Sequence, residues 1–308
     1  MGFSQSIREL RRSLSEVVHF RPKGGAVMSV AAATAILFSA QLGTGSMLSN
    51  HAQAASTPTA YAATIADVAG GSGATANQAA QPAAQRTIVI DPGHGGSQTG
   101  ATAKMPDGST LYEKDRTLKV ALKTAQILRD EGYNVILTRT GDTGVAANGQ
   151  DLTGNGKVDV SDDLQARVDF ANANHADVFV AIHFNAGNSN MSGTEVFYNA
   201  NRPQSPASKL LATMIYDHVT SAIKGTGYNL VERGVKTDSQ ATGGAPFYLL
   251  GPEGGHIVRP SEMPAALGEA LFISNPAEAQ LANQDSFQNT LAHAYADGIV
   301  QYVNHLDS

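Results

Sequence analysis

The chain has 308 residues, 42% of them hydrophobic and 16% charged, with a formal net charge of −6 and no cysteine. That length suits one globular domain plus a targeting or unstructured segment. The lack of cysteine excludes a disulfide framework, a thiolate metal site and a cysteine nucleophile, so any transition-metal site must use His, Asp or Glu. The net acidity gives no electrostatic footing for nucleic acid.

The charge is unevenly spread. Residues 1–24 carry five Lys/Arg against two acids, and residues 25–85 carry no base and one acid. The basic cluster (Arg8, Arg11, Arg12, Arg21, Lys23) precedes an apolar run from Gly25 to Leu42, and Ala52-Gln53-Ala54 offers a small-x-small cleavage site. Residues 1–54 therefore read as an export signal, cleaved or retained as a membrane anchor, and the remainder is expected outside the cytoplasm, extracellular or in the cell wall or periplasm. Residues 55–85 are Ala, Thr, Gly, Gln, Ser and Pro with almost no large apolar side chain, the composition of a flexible linker. A folded domain is expected over 86–308.

Within that domain strands and helices alternate. Thr87–Asp91 reads as a buried strand ending in Pro-Gly, Lys114–Glu131 as a helix stopped by Gly132, and Asn134–Thr138 as a strand. Asp163–Asn174 follows as a helix, Ala176–His183 and Thr194–Tyr198 as strands, and Pro206–Ile223 as a helix. Pro264–Leu267 predicts a short strand and Glu278–Val303 one long closing helix. Continuous apolar strands between amphipathic helices imply an α/β domain: a twisted, mostly parallel sheet with helices on both faces. The working site of such a sheet sits at the carboxyl ends of its strands.

Chemistry-bearing residues gather at those ends. The first strand runs into Asp91-Pro92-Gly93-His94-Gly95-Gly96, and His183 stands where the apolar run 178–182 stops. Glu113 opens the first helix, and Glu269 follows the strand Pro264–Leu267. Two imidazoles and a carboxylate, with room for water, form the ligand set of a catalytic zinc, and Glu269 is placed as a general base. Taken singly, each has a plainer reading. The histidines fit surface hydrogen bonding, Glu113 suits a helix N-terminus, and Glu269 could pair with an arginine such as Arg167.

The segments T-I-V-I-D-P-G-H-G-G (87–96), L-Y-E-K-D (111–115), L-T-R-T-G-D (137–142), L-Q-A-R-V-D-F-A-N (164–172), A-D-V-F-V-A-I-H-F-N-A (176–186) and G-E-A-L-F-I-S-N-P (268–276) resemble, in order, the motifs of zinc-dependent N-acetylmuramoyl-L-alanine amidases of type 3. The resemblance implies that His94, Glu113 and His183 ligate zinc and that Glu269 is the catalytic acid/base. It implies hydrolysis of the amide between N-acetylmuramic acid and L-alanine in peptidoglycan as substrate; no stable partner is implied. Arg167 matches a family arginine read as structural, tying helix to sheet. Asn185 is assigned to substrate, to the surroundings of the ligands, or to a turn. Leu271 departs from the family pattern, which has glycine before the phenylalanine of its last motif. No helical insertion lies between Tyr198 and Pro206, so self-inhibition by a plug is not expected. Two other readings stay open: a zinc peptidase or carboxypeptidase acting on stem peptides, and a non-catalytic wall-binding regulator.

Residues 151–162, Asp-Leu-Thr-Gly-Asn-Gly-Lys-Val-Asp-Val-Ser-Asp, resemble an EF-hand or dockerin-type calcium loop. Asp151, Thr153, Asn155, Asp159 and Asp162 fall at oxygen-ligand positions, the Lys157 carbonyl at position seven, and Gly156 at the sharp turn. A structural Ca2+ is the expectation; a Gly/Asn/Asp surface turn is the alternative.

Overall fold

The computed structural model describes residues 86–146, 149–241, 247–250 and 258–307. The expected export signal and linker lie outside the described residues. Among the described residues no helix is long and apolar enough to cross a membrane.

The strands are β1 (Thr87–Pro92), β2 (Thr102–Lys104), β3 (Thr110–Tyr112), β4 (Asn134–Leu137), β5 (Val178–Asn185), β6 (Thr194–Tyr198), β7 (Glu232–Thr237) and β8 (Ala265–Phe272). The helices are α1 (Glu113–Asp130), α2 (Val160–Ala173), α3 (Ser205–Gly225), the single turn α4 (Asp238–Ala241), α5 (Pro276–Ala282) and α6 (Asp285–Leu306). Six strands form one sheet in the order β4-β1-β5-β8-β6-β7, and β2 pairs with β3 in a separate hairpin. All neighbours in the large sheet are parallel except β6 and β8. The expected mostly parallel sheet is thus present, with an antiparallel junction near one edge.

Strand periodicity divides the core. Ile88, Ile90, Val178, Val180, Ile182, Val196, Ala266 and Ala270 pack with side chains of α1, α3 and α6. The alternate residues Val89, Phe179, Ala181, Phe197, Ala265 and Leu267 pack with Val168 and Ala171 of α2 and with Leu249 and Leu250. Apolar side chains on both faces explain why the strand sequences read as unbroken hydrophobic runs.

Two predicted elements come out differently. The strand predicted at Pro264–Leu267 continues to Phe272, so Glu269 lies inside β8 rather than after it. The single helix predicted over Glu278–Val303 is two. Asn275 caps α5 by accepting from the amides of Ala277 and Glu278, and the chain then bends at Asn283-Gln284 before Asp285 opens α6. The polar run Asn283-Gln284-Asp285 interrupts the apolar stripe. The Gln288 side chain closes the break by donating to the Ala282 carbonyl at 2.9 Å.

Candidate active site

Three strands deliver the site through their pairing register. In Cα register Glu269 of β8 faces His183 of β5 on one side and Glu195 of β6 on the other. Residues paired in register share a sheet face, so the three side chains form one row. The row continues the alternation of Phe179 and Ala181, Ala265 and Leu267, and Phe197. The apolar face beneath α2 therefore gives way, one step along each strand, to ionisable groups.

His94 follows β1 on a loop with φ 62, a left-handed conformation that is uncommon outside glycine. Several donors hold the loop. Arg139 donates to the carbonyls of Pro92 (2.9 Å) and Gly93 (2.8 Å), Thr117 to Gly93 (2.7 Å), and Arg167 to His94 (2.7 Å). Arg167 is 1% exposed and also binds Asp91 at 2.9 Å and Asp163 at 2.8 Å. Thr138 shares the same Asp91 oxygen. Arg167 is thus a tie between α2 and the sheet. It is spoken for by Asp91 and Asp163 and does not pair with Glu269.

Glu113, the first residue of α1, turns its carboxylate inward. Oε1 lies 3.1 Å from His94 Nε2 and 3.1 Å from His183 Nδ1, and accepts from the Phe184 amide at 3.0 Å. Oε2 accepts from the Ala101 amide at 2.7 Å. Among the described residues this is the only group that brings three His, Asp or Glu ligand atoms together, all within 4.8 Å. Burial alone would raise the Glu113 carboxyl. The charge of His94 and hydrogen bonds from both imidazoles outweigh it, and the net direction is down. Burial lowers the His183 imidazole, favouring the neutral form that binds metals.

These residues fit a metal ion. His183 Nε2 is buried and has no hydrogen-bond partner, which an unligated buried nitrogen rarely tolerates. The cradle is also cut to shape. A Cβ on Gly93 would come within 2.3 Å of the His183 ring, and one on Gly100 within 2.5 Å of Glu113 Oε2. Two imidazoles and a carboxylate are a donor set suited to zinc.

Glu269 Oε2 is likewise buried and without a partner among the described residues. Burial raises this carboxyl well above the usual range, and the neighbouring Glu113 and Glu195 carboxylates push the same way. Asn185 does two things at once. Its Oδ1 accepts from the Ala186 amide (2.8 Å), shaping the turn, and its Nδ2 donates to Glu195 Oε1 (2.5 Å).

Sequence reading missed Glu195, Arg233 and Lys236. Glu195 is 6% exposed and its Oε2 binds Arg233 at 3.0 Å and Lys236 at 2.5 Å. The signal was available: a glutamate within the apolar strand T-E-V-F-Y at an inward position needs a partner.

The proposed calcium-loop residues lie in the loop leading into α2 and in its first turn. Asp151 accepts from the amides of Asn155 (3.0 Å) and Gly156 (2.8 Å), and Asn155 Oδ1 from that of Lys157 (2.8 Å). Asp162 accepts from the Thr153 amide (3.0 Å) and the Asp159 amide (2.8 Å), completing a capping box with Asp159.

The N-acetylmuramoyl-L-alanine amidase family profile matches residues 88–301. The chain is 32% identical over 225 residues to the uncharacterized protein YqiI of Bacillus subtilis, covering 73% of this chain and 88% of that one. It is 32% identical over 228 residues to the B. subtilis N-acetylmuramoyl-L-alanine amidase LytC, covering 74% of this chain but 37% of LytC. Among solved structures, the catalytic domain of the amidase CwlV from Bacillus (Paenibacillus) polymyxa superposes with a TM-score of 0.53 at 32% identity, covering 71% of this chain and 99% of that one. The profile spans the sheet, the His94–Glu113–His183 group and Glu269, and the chain belongs to the N-acetylmuramoyl-L-alanine amidase family.

Proposed function

We propose that this protein hydrolyses the amide between N-acetylmuramic acid and L-alanine in peptidoglycan, with zinc held by His94, Glu113 and His183. The observation that carries the reading is the pairing of a three-ligand group with a second buried carboxylate, Glu269, whose Oε2 meets no donor among the described residues. Bound zinc supplies a Lewis acid that polarises the carbonyl and makes water a usable nucleophile near neutral pH. The chain's own residues do the rest. Glu113 is fixed by the Phe184 and Ala101 amides, which hold its carboxylate between the two imidazoles. Glu269 accepts a proton from the attacking water at Oε2 and returns it to the nitrogen as the carbon–nitrogen bond breaks, so the amine leaves neutral.

The test is digestion of purified peptidoglycan beside Glu269→Gln, with metal content measured by mass spectrometry. New L-alanine amino termini from the wild type, with about 10²-fold or greater loss in the variant at unchanged zinc content, are expected. Cleavage elsewhere in the stem would favour the peptidase reading, and no release the wall-binding one.

We further propose that 1–54 directs export, that 55–85 links it to a catalytic domain over 86–308, and that 151–162 binds calcium. Supporting the last is the wrapping of Asn155 and Gly156 amides around Asp151, with Gly154 at φ 70 and Gly156 at φ 79. Calorimetry showing neither heat nor a rise in melting temperature with calcium would remove it.

A further inference from the structure

We propose that Arg233 and Lys236 recognise a carboxylate on the stem peptide, close to the bond that is cut; this rests on the amidase reading above. Glu195 is one buried carboxylate held by two cations. The buried Glu278 carboxylate also feels Arg233, so what this edge offers is unused donor capacity rather than net charge. Glu232, at the start of the same strand, is taken by Lys224 at 3.0 Å. Arg233 spends Nε on Glu195, Nη1 on the Ser192 carbonyl at 3.4 Å and its face on the Phe272 ring at 5.0 Å. Its Nη2 has no acceptor among the described residues, and Lys236 makes one bond, to Glu195. Their side chains are 26% and 29% exposed, so these donors reach solvent beside a buried anion that fixes their positions.

The order of the row gives the direction. His183 flanks Glu269 on one side and Glu195 on the other. The group that protonates the departing nitrogen is Glu269, so the sugar-bearing carbonyl lies toward His183 and the peptide leads away across β6 and β7. Neighbouring strands are about 4.8 Å apart, and the two cations reach back from β7 to Glu195. A carboxylate borne by the second residue of the peptide lies about 7 Å from that nitrogen, two residue lengths along an extended chain. Both lengths are short enough for side chains on β7 to reach such a group, and the open guanidinium and ammonium donors have the sign that a carboxylate requires.

The experiment uses the full chain and two substrates that differ by one charge: N-acetylmuramoyl-L-alanyl-D-glutamate with a free α-carboxylate, and its α-carboxamide. The wild type is expected to prefer the carboxylate about tenfold, through KM rather than kcat. Lys236→Gln and Arg233→Gln should collapse that preference toward unity, and Lys236→Arg should restore it. Lys224→Gln, on a pair outside the row, should leave it intact. Should Arg233→Gln fail to fold because Glu195 loses a partner, the more lightly engaged Lys236 carries the test. Calorimetric binding of the free dipeptides, L-Ala-D-Glu against its amide, reads the same discrimination without turnover. Cleavage of both substrates with a preference unmoved in Lys236→Gln would overturn the inference alone. Loss of all cleavage with charge-selective dipeptide binding retained would overturn the amidase reading alone.

Discussion

Arg167 Nη2 donates to the main-chain carbonyl of His94 at 2.7 Å, so a helix side chain sets the position of a proposed metal ligand through its backbone. The guanidinium also bridges Asp91 and Asp163, both buried. Arg167→Ala leaves Asp91 as an unpaired charge at 0% exposure. Removing one partner from such a buried arrangement costs about 3–5 kcal/mol. Chemical denaturation should show that loss, and Arg167→Lys should recover little of it, because one ammonium cannot reproduce the fork of bonds. A variant within about 1 kcal/mol of wild type would deny the tie its structural weight.

Asp163 makes part of this stability depend on pH. Burial alone would raise its carboxyl, but the Arg167 charge and the Ala146 and Val145 amides outweigh it and lower it. The folded carboxyl therefore ionises more readily than the unfolded one. Its contribution is complete above the ordinary aspartate value of about 3.9 and is lost as pH falls through the lower folded value. Asp163→Asn should cost most at neutral pH, and its gap from wild type should shrink below about pH 4. Urea unfolding at several pH values measures this; a constant gap would contradict it.

Gly93→Ala tests the fit of the metal cradle. Its Cβ would overlap the His183 ring at 2.3 Å. The imidazole must turn away, so zinc affinity should fall at least about tenfold, comparable to losing a supporting contact of a ligand. Competition with a chromophoric chelator, beside circular dichroism confirming the fold, reads the outcome. Unchanged affinity would mean that His183 has room to spare.

Glu278 anchors the end of β8 to the start of β6. It is fully buried and accepts from the amides of Phe272 (2.7 Å) and Gly193 (2.8 Å) and from the Tyr228 hydroxyl (3.0 Å). Glu278→Ala strands three donors and should cost about 3 kcal/mol or more, at 1–3 kcal/mol for each. Glu278→Gln keeps an acceptor and should cost less. Thermal melts of the two variants give the order, and equal losses would show that the hydrogen bonds are not what the residue provides.

Much of this was legible in the chain. Runs such as 178–182 are apolar at every position because both sheet faces are covered, and their ends mark His94 and His183 without further help. Glu113 was visible as the first residue of a helix whose amphipathic pattern begins just after it. The β2–β3 hairpin and β7 were not, because T-A-K, T-L-Y and E-R-G-V-K-T carry no apolar run and owe their form to neighbours. The Glu195–Arg233–Lys236 cluster escaped for a related reason. Arg233 and Lys236 lie 38 and 41 positions after Glu195, and only the register of β6 against β8 and β7 brings them to the row.

Because β6 runs opposite to β8, the working rim combines the finishing ends of one set of strands with the starting ends of another. The histidines belong wholly to the first set and Arg233 and Lys236 to the second, while Glu113 stands at the start of α1. Exchanging residues of β7 therefore alters this side of the rim while leaving His94, Glu113 and His183 on separate backbone. A library confined to positions 232–236 is accordingly a practical place to retune selectivity without rebuilding the reactive centre.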